Sequence, residues 1–401
     1  MRKTMVVPLV LTLGGLGATP SPAATPEALA LARDAVIVDT HIDAPGQLMS
    51  HWAELATDAS DREFDYPRAR AGGLDVAFMS IYTSPGQDED DSAWEVANKM
   101  IDGVEALVQR HPDKFALLTS PGDVGRLREG GRVLLPLGME NGAPIGEDIG
   151  NLGFFFERGV RYITLVHSAN NAMGDSSYQR IKRWNGLSPL GRQAVAEMNR
   201  LGMMVDVSHL SDETVEDVLE LSTVPVVATH SAFRHFTPGL ERNISDALAR
   251  RVAEGGGVIQ IPFGNGFIDP ASAKDLQGYF TAYDAFLAEN ARRTEAGEPL
   301  LDEAAFDAKW DAEHPHRTVP LDTVLDHIDH GVKLLGIDHV GIGSDFDGVG
   351  GNLPTGLKTV ADYPNLVAGL QARGYAEADI RKLLGGNLLR VWQAVEAGAQ
   401  R

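Results

Sequence analysis

Apolar residues fall along this chain in two alternating rhythms. Short, near-continuous apolar runs recur at 36–39, 76–82, 133–139, 162–166, 203–207, 224–229, 257–262 and 339–344. Runs of this length, apolar on both sides, predict strands buried on both faces. Helical spacing fills the gaps between them. Ser188 and Pro189 read as an N-cap and first helical position, and Leu190, Ala194, Val195, Met198 and Leu201 keep one face apolar until Gly202. Ser211 opens a second helix, with Asp212, Glu213 and Glu216 near its positive end. Ser245 opens a third, with Leu248 and Val252 inward, which the glycines at 255–257 close. Strand and helix in alternation imply parallel pairing, and eight such units predict a single (β/α)8 TIM-type barrel. The runner-up is a doubly wound sheet. That fold carries a Gly-rich phosphate turn after its first strand, and none follows Val38.

Two connections are too long for simple loops. One runs over about 44–70 and holds Trp52, Phe64 and Tyr66. The other, over about 265–320, carries Tyr279, Phe280, Tyr283, Phe286, Phe306 and Trp310 in a charged background. It is expected as a helical insertion before the last strand. A lid, an interface and a peripheral elaboration all fit it.

The first 24 residues follow neither rhythm. Arg2 and Lys3 precede an apolar run at 5–16, and Ala18, Ser21, Ala23 and Ala24 follow. This order predicts a signal peptide over about 1–24 and a catalytic domain over 25–401. A buried helix fits less well, because Gly14, Gly15, Gly17, Pro20, Pro22 and Pro26 break helices. The expectation is export to the periplasm or medium of a bacterium, with no stable membrane anchor.

Acids outnumber bases 56 to 35, for a net charge of -21. Nucleic acid and anionic membranes, which need basic surfaces, are therefore poor partners. There are no cysteines, which removes disulfides, thiol nucleophiles and Cys-ligated zinc.

Active sites of barrels lie at the C-terminal ends of the strands. Here the ends carry His41 and Asp43, Glu140, His167, His209, His230 and Asp345. Chance would place roughly half of one of the 12 histidines at such positions, and four are there. His41 and Asp43, two apart in an extended segment, point the same way. Imidazole and carboxylate without thiolate suit zinc or a similar divalent ion. His41, Asp43, Glu140, His209 and His230 make five candidate ligands, enough for two ions if Glu140 bridges. Two such ions make hydroxide available near neutral pH, which points to hydrolysis without a protein nucleophile. Each residue alone also has a plainer reading. His41 fits a core histidine bonded to a carboxylate, and His209 a cap for the helix near Ser211. His230 fits a strand-end hydrogen bonder, Glu140 a turn acid, and Asp345 with Asp347 an Asx-turn. His327 and His330, three apart on an expected helix, read as a solvated face.

Taken in order, VDTHIDAP (38–45), LGMENGAPI (137–145), RYITLVHSANN (161–171), MVDVSHLSDET (204–214), PVVATHSAFR (225–234), ERNISD (241–246) and HVGIGSDFDGV (339–349) resemble the membrane dipeptidase (renal dipeptidase) family of zinc peptidases. The resemblance spans roughly 34–392. It implies an amidohydrolase-like barrel holding two zinc ions, one on His41 and Asp43, one on His209 and His230, with Glu140 between. It implies that Asp345 handles protons for the attacking water and leaving amine. His167 would bind substrate near the developing oxyanion, and Arg242 the C-terminal carboxylate of a dipeptide. Arg242 alone reads as a surface charge at a helix start. This chain departs from the family at Ile42 and Ala44, at Asn141, and where Phe263 or Phe267 replaces a tyrosine. Those changes bear on substrate preference, including a D-residue at the C-terminal position. A homodimer is a further implication. Two alternatives remain: a related metal amidohydrolase acting on another amide, lactone or phosphoester, and an exported binding protein without catalysis.

Overall fold

β-Branched and aliphatic residues dominate the eight runs; seven become one strand each and the run at 133–139 becomes two, almost all of them buried along their length. The computed structural model describes residues 24–400, apart from the side chain of Glu303. The expected leader lies outside them except for Ala24. The strands are β1 (Ile37–Ile42), β2 (Leu74–Tyr82), β3 (Phe115–Leu117), β4 (Val133–Leu135), β5 (Leu137–Glu140), β6 (Val160–Thr164), β7 (Met204–Asp206), β8 (Val227–Ala228), β9 (Val258–Ile261) and β10 (Val340–Ile342). All their pairings are parallel, in the order β1-β2-β5-β6-β7-β8-β9-β10. The ring closes just past β10: Asp345 N–H donates to His41 O (3.1 Å) and Asp43 N–H to Phe346 O (2.8 Å). Eight strands thus close a barrel, with β3 lying outside it on β4.

Three details differ from the sequence expectation. The run at 133–139 is two strands, because Pro136 has no N–H to give the ladder. The short strand β3 carries too few residues to show a period. The first strand extends to Ile42, so His41 sits inside the sheet, fully buried. Helix starts follow the sequence closely. Ser188, Ser211 and Ser245 accept from the N–H of Gly191, Thr214 and Leu248 (3.0, 3.2 and 3.3 Å). Gly202 ends the first of these helices with φ of 76°.

Alternation along the strands separates two apolar layers. Ile37, Ala77, Met79, Ile163, Val205 and Ile259 face the surrounding helices. Val38, Val76, Phe78, Tyr162, Met204, Val227 and Val258 face the barrel interior, where Leu388, Val391, Trp392 and Val395 join them. Those four come from the last helix, Asn387–Ala397, which plugs the N-terminal end of the barrel. Trp392 is fully buried against Phe78, with ring centroids 5.3 Å apart. The plug is pinned where Arg390 Nη1 donates to Gly256 O, just before β9 (2.9 Å).

The 265–320 stretch folds as helices Asn265–Ile268, Pro270–Ala296 and Glu303–Glu313. Phe306 packs on Phe286 and Tyr283 across the two longer helices (4.9 and 5.8 Å). His327 corrects the solvated-face reading: it is fully buried. Its Nδ1 accepts from Phe233 N–H (3.2 Å) and its Nε2–H donates to Ile268 O (3.1 Å). Burial holds it neutral down to about 4.

Two predictions follow from the core. Trp392→Ala empties the plug and should cost about 3–5 kcal/mol, read by urea unfolding; a loss under about 1 kcal/mol would reject the plug's role. The second concerns His327, whose folded pKa lies below its unfolded value. The unfolded chain takes up a proton first as pH falls below about 6.5, so His327 destabilises the fold progressively from there toward about 4. The stability difference between wild type and His327→Gln should therefore shift against wild type by about 2 kcal/mol from pH 7.5 to pH 5. A pH-independent difference would contradict this.

Candidate functional site

Every strand-end residue singled out in the sequence, except Arg242, sits at the C-terminal mouth of the barrel directly on its strand or the turn after it. They converge on Glu140, at the end of β5. Glu140 Oε2 lies 3.4 Å from His41 Nε2, which is also 3.4 Å from Asp43 Oδ2. Glu140 Oε1 lies 3.0 Å from His209 Nε2 and 3.3 Å from His230 Nε2. The His41–Asp43 pair and the His209–His230 pair therefore lie at opposite oxygens of one carboxylate. His167 Nε2 stands farther off, 3.7 Å from Oε1.

Backbone strain helps to aim these groups. Among the described residues, four of the six non-glycine residues with positive φ are at this mouth: Asn141 (77°), His209 (67°), Asp345 (66°) and Asp347 (65°). Left-handed backbone is unfavourable for residues with a Cβ and persists where surrounding contacts over-determine it. Gly348 follows because nothing larger fits. A Cβ there would fall 2.3 Å from Asp43 Oδ2 and 2.5 Å from Asp345 Oδ1.

Hydrogen bonds behind the histidines set their tautomers. Tyr162 O–H donates to Thr40 O (3.0 Å), so His41 Nδ1–H must donate to Tyr162 Oη (2.9 Å). Thr229 O–H donates to buried Asp206 (2.7 Å), so His230 Nδ1–H donates to Thr229 Oγ1 (2.8 Å). Each leaves Nε2 as a bare lone pair aimed inward. Asp39 does comparable work on the backbone, accepting from the N–H of His41 (3.1 Å) and Ser344 (2.9 Å). Tyr162 reaches His41 only because residue 138 is glycine: a Cβ there would lie 1.9 Å from the tyrosine ring.

Arg242 Nη2 lies 3.1 Å from His209 Nε2, and a guanidinium only donates. That nitrogen is a lone pair too. It stands 2.7 Å from the lone pair of His230 Nε2, beside a carboxylate oxygen. Lone pairs so close repel unless a cation lies among them. His41 Nε2 is likewise buried without a hydrogen-bond partner. The donor set fits a divalent metal on both sides of Glu140.

Electrostatics agree. Burial pushes the Glu140 carboxyl up, but His41, His167, His209 and His230 outweigh it and hold it well below the usual range. Burial, and next the Arg242 guanidinium for His209 and His41 for His230, keep those two imidazoles neutral. Asp345 is pushed well above the usual range, chiefly by burial and then by Asp43.

Beside the cluster opens a cavity of about 520 Å³, lined by Met49, Met100, His167, Tyr178, Phe267 and Asp345 among others. Arg242 lies behind the lining residue His209 and is buried, not the surface charge that its sequence position suggests. Its Nη1 donates to Ser231 Oγ (3.0 Å) and its Nη2 to His230 O (2.8 Å), under the Phe267 ring (5.0 Å). Sequence reading missed Asp39, Asp206, Tyr162, Thr229 and Tyr178. The two aspartates had a signal: each is an acid in an apolar run, two or three positions before a candidate ligand.

A closed parallel barrel with a histidine–carboxylate cluster at its C-terminal mouth defines a metal-dependent hydrolase of the amidohydrolase type. The sequence profile of the membrane dipeptidases, peptidase family M19, matches residues 25–401, and the chain belongs to that family of metal-dependent dipeptidases. It is 29% identical over 339 residues to the dipeptidase tcpJ of Claviceps purpurea (strain 20.1), covering 83% of this chain and 69% of that one. Among solved structures, the probable dipeptidase PvdM of Pseudomonas aeruginosa superposes with a TM-score of 0.79 at 30% identity, over 93% of this chain and 98% of that one. A metallo peptidase of Rhodobacter sphaeroides, liganded with a phosphinate mimic of the dipeptide L-Ala-D-Ala, superposes with a TM-score of 0.73 at 26% identity, over 90% of this chain and 99% of that one.

Tyr162→Phe removes the acceptor that fixes the His41 tautomer and should weaken metal affinity about 10- to 100-fold. Competition with a chromogenic chelator reads this directly; unchanged affinity would reject the tautomer argument.

Proposed function

We propose that the protein is an exported dipeptidase whose site holds two zinc ions. One ion would rest on His41, Asp43 and Glu140, the other on His209, His230 and Glu140. The observation that carries this reading is the division of Glu140, one carboxylate oxygen toward His41 and the other toward His209 and His230. When bound, such a pair supplies a water activated near neutral pH and polarises the scissile carbonyl.

The chain's own residues do the rest. Arg242, held by Ser231 and His230 O, attracts the terminal carboxylate of the dipeptide. His167, half-buried at the cavity wall, donates to the carbonyl oxygen as negative charge grows there. Asp345, beside Asp43, takes the proton of the attacking water and gives it to the departing amine. Water and one peptide bond become one carboxylate and one amine. The mimic bound by the Rhodobacter relative supports including a C-terminal D-residue among the substrates. Export rests on the pattern at 1–24; the family match beginning at residue 25 supports a catalytic unit over 25–401.

Purified protein should contain about two metals per chain and release amino acids from L-L and L-D dipeptides, with activity lost to chelator. Asp345→Asn should retain the metal and lose about a hundredfold or more in turnover. Metal without dipeptide cleavage would reject the substrate. Near-normal turnover of the variant would reject the role of Asp345.

A further inference from the structure

Tyr178 belongs to the long connection between β6 and the helix Pro189–Leu201, and nothing above gives it a task. Its ring lines the cavity between His209 and the insertion. It stacks on His209 with centroids 5.7 Å apart and 29° between planes. On its other side it meets the edge of Phe280, from the helix Pro270–Ala296, at 4.5 Å. Burial pushes its phenol up to about 12, while the Arg242 guanidinium against its hydroxyl pulls the other way. The connection is fastened beside Arg242: Lys182 Nζ pairs with Glu241 (3.1 Å) and donates to Ser176 O (2.9 Å). Ser177 N–H donates to His209 O (2.9 Å). The ring is thus held from two directions, by its own loop and by the insertion, on His209, whose Nε2 lies 3.1 Å from Arg242 Nη2.

Arg242 is an incomplete clamp for a carboxylate. A two-bond grip needs two N–H groups free on one edge. Here Nη1 already donates to Ser231 Oγ, and both N–H groups of Nη2 are engaged, by His230 O and His209 Nε2. A carboxylate has about four lone-pair sites to satisfy. A neutral phenol next to the guanidinium offers one more donor and adds no opposing charge. From this juxtaposition we infer that Tyr178 is a substrate-binding residue, its hydroxyl donating to the terminal carboxylate that Arg242 attracts, with Phe280 holding the ring in place. The inference rests on the dipeptidase reading above and gives part of the insertion a role in binding.

Tyr178→Phe tests it, because the ring and its packing stay while one O–H goes. A hydrogen bond to a charged group carries about 10- to 100-fold in affinity. KM for dipeptides should rise by about tenfold, with kcat changed less than about threefold. For the matching dipeptide amides, which lack the carboxylate, KM should not move. Phe280→Ala should raise KM for dipeptides in the same selective way and add little to Tyr178→Phe in the double variant. An unchanged KM, or an equal rise on dipeptides and amides, would overturn the inference. If the metal-loaded wild type cleaves no dipeptide, the functional reading fails first. Calorimetry with a phosphinate dipeptide mimic and its C-terminal amide then reads the hydroxyl alone. Selective weakening of the acid form by Tyr178→Phe upholds the contact, and equal or no weakening, or no binding of the mimic, overturns it.

Discussion

Inward-facing lone pairs are the constraint around which the mouth of this barrel is built. Four imidazoles and three carboxylates gather where water is largely excluded, and donors that would relieve them are scarce. His41 and His230 give their only N–H groups away from the centre, to Tyr162 and Thr229. The aspartates Asp39 and Asp206 lie behind, deep in the sheet, and hold the backbone in position. An arrangement that repels itself is stable only if something positive completes it. Arg242 does so in part, on one side of His209. The sheet beneath must supply the remaining rigidity, and the strain at Asn141, His209 and Asp345 shows that it does.

The same peptide units serve two ends at once. The seam that closes the barrel is made by the backbone of His41, Asp43, Asp345 and Phe346. Three of these four carry side chains of the site. Closing the sheet therefore sets the distance between the first and last groups of the cluster. Gly348 shows how tightly that seam is fitted, since even a methyl group would strike both aspartates.

Much of the fold and most of the site were legible in the sequence. Apolar runs mark strands because a parallel sheet is buried on both faces, and serine caps mark helix starts because the hydroxyl replaces a missing partner. Polar residues closing apolar runs found His41, Glu140, His209 and His230. What stayed hidden depends on contacts between distant segments. Tyr162 looks like an ordinary strand residue until Gly138, from the neighbouring strand, leaves room for its ring. Arg242 looks solvent-facing until Ser231 and the carbonyl of His230 surround it. His327 looks like half of a wet helix face until Phe233 and Ile268 enclose it. Tyr178 sits in a loop without period, and only the approach of Phe280 from a segment about a hundred residues later gives it a place.

The helix that plugs the barrel floor has a bearing on how the protein is born. Leu388, Val391, Trp392 and Val395 come after every strand in the chain, yet they pack into the space that those strands enclose. A nascent chain holding β1 to β10 has every strand and still lacks the helix that completes the interior. Vectorial synthesis cannot finish this domain piece by piece from its N-terminus, as it can a chain of small independent units. The interior is complete only once residues 388–395 have been made. A ribosome that stalls shortly before residue 388 releases a barrel with an open floor, a ready client for chaperones and proteases.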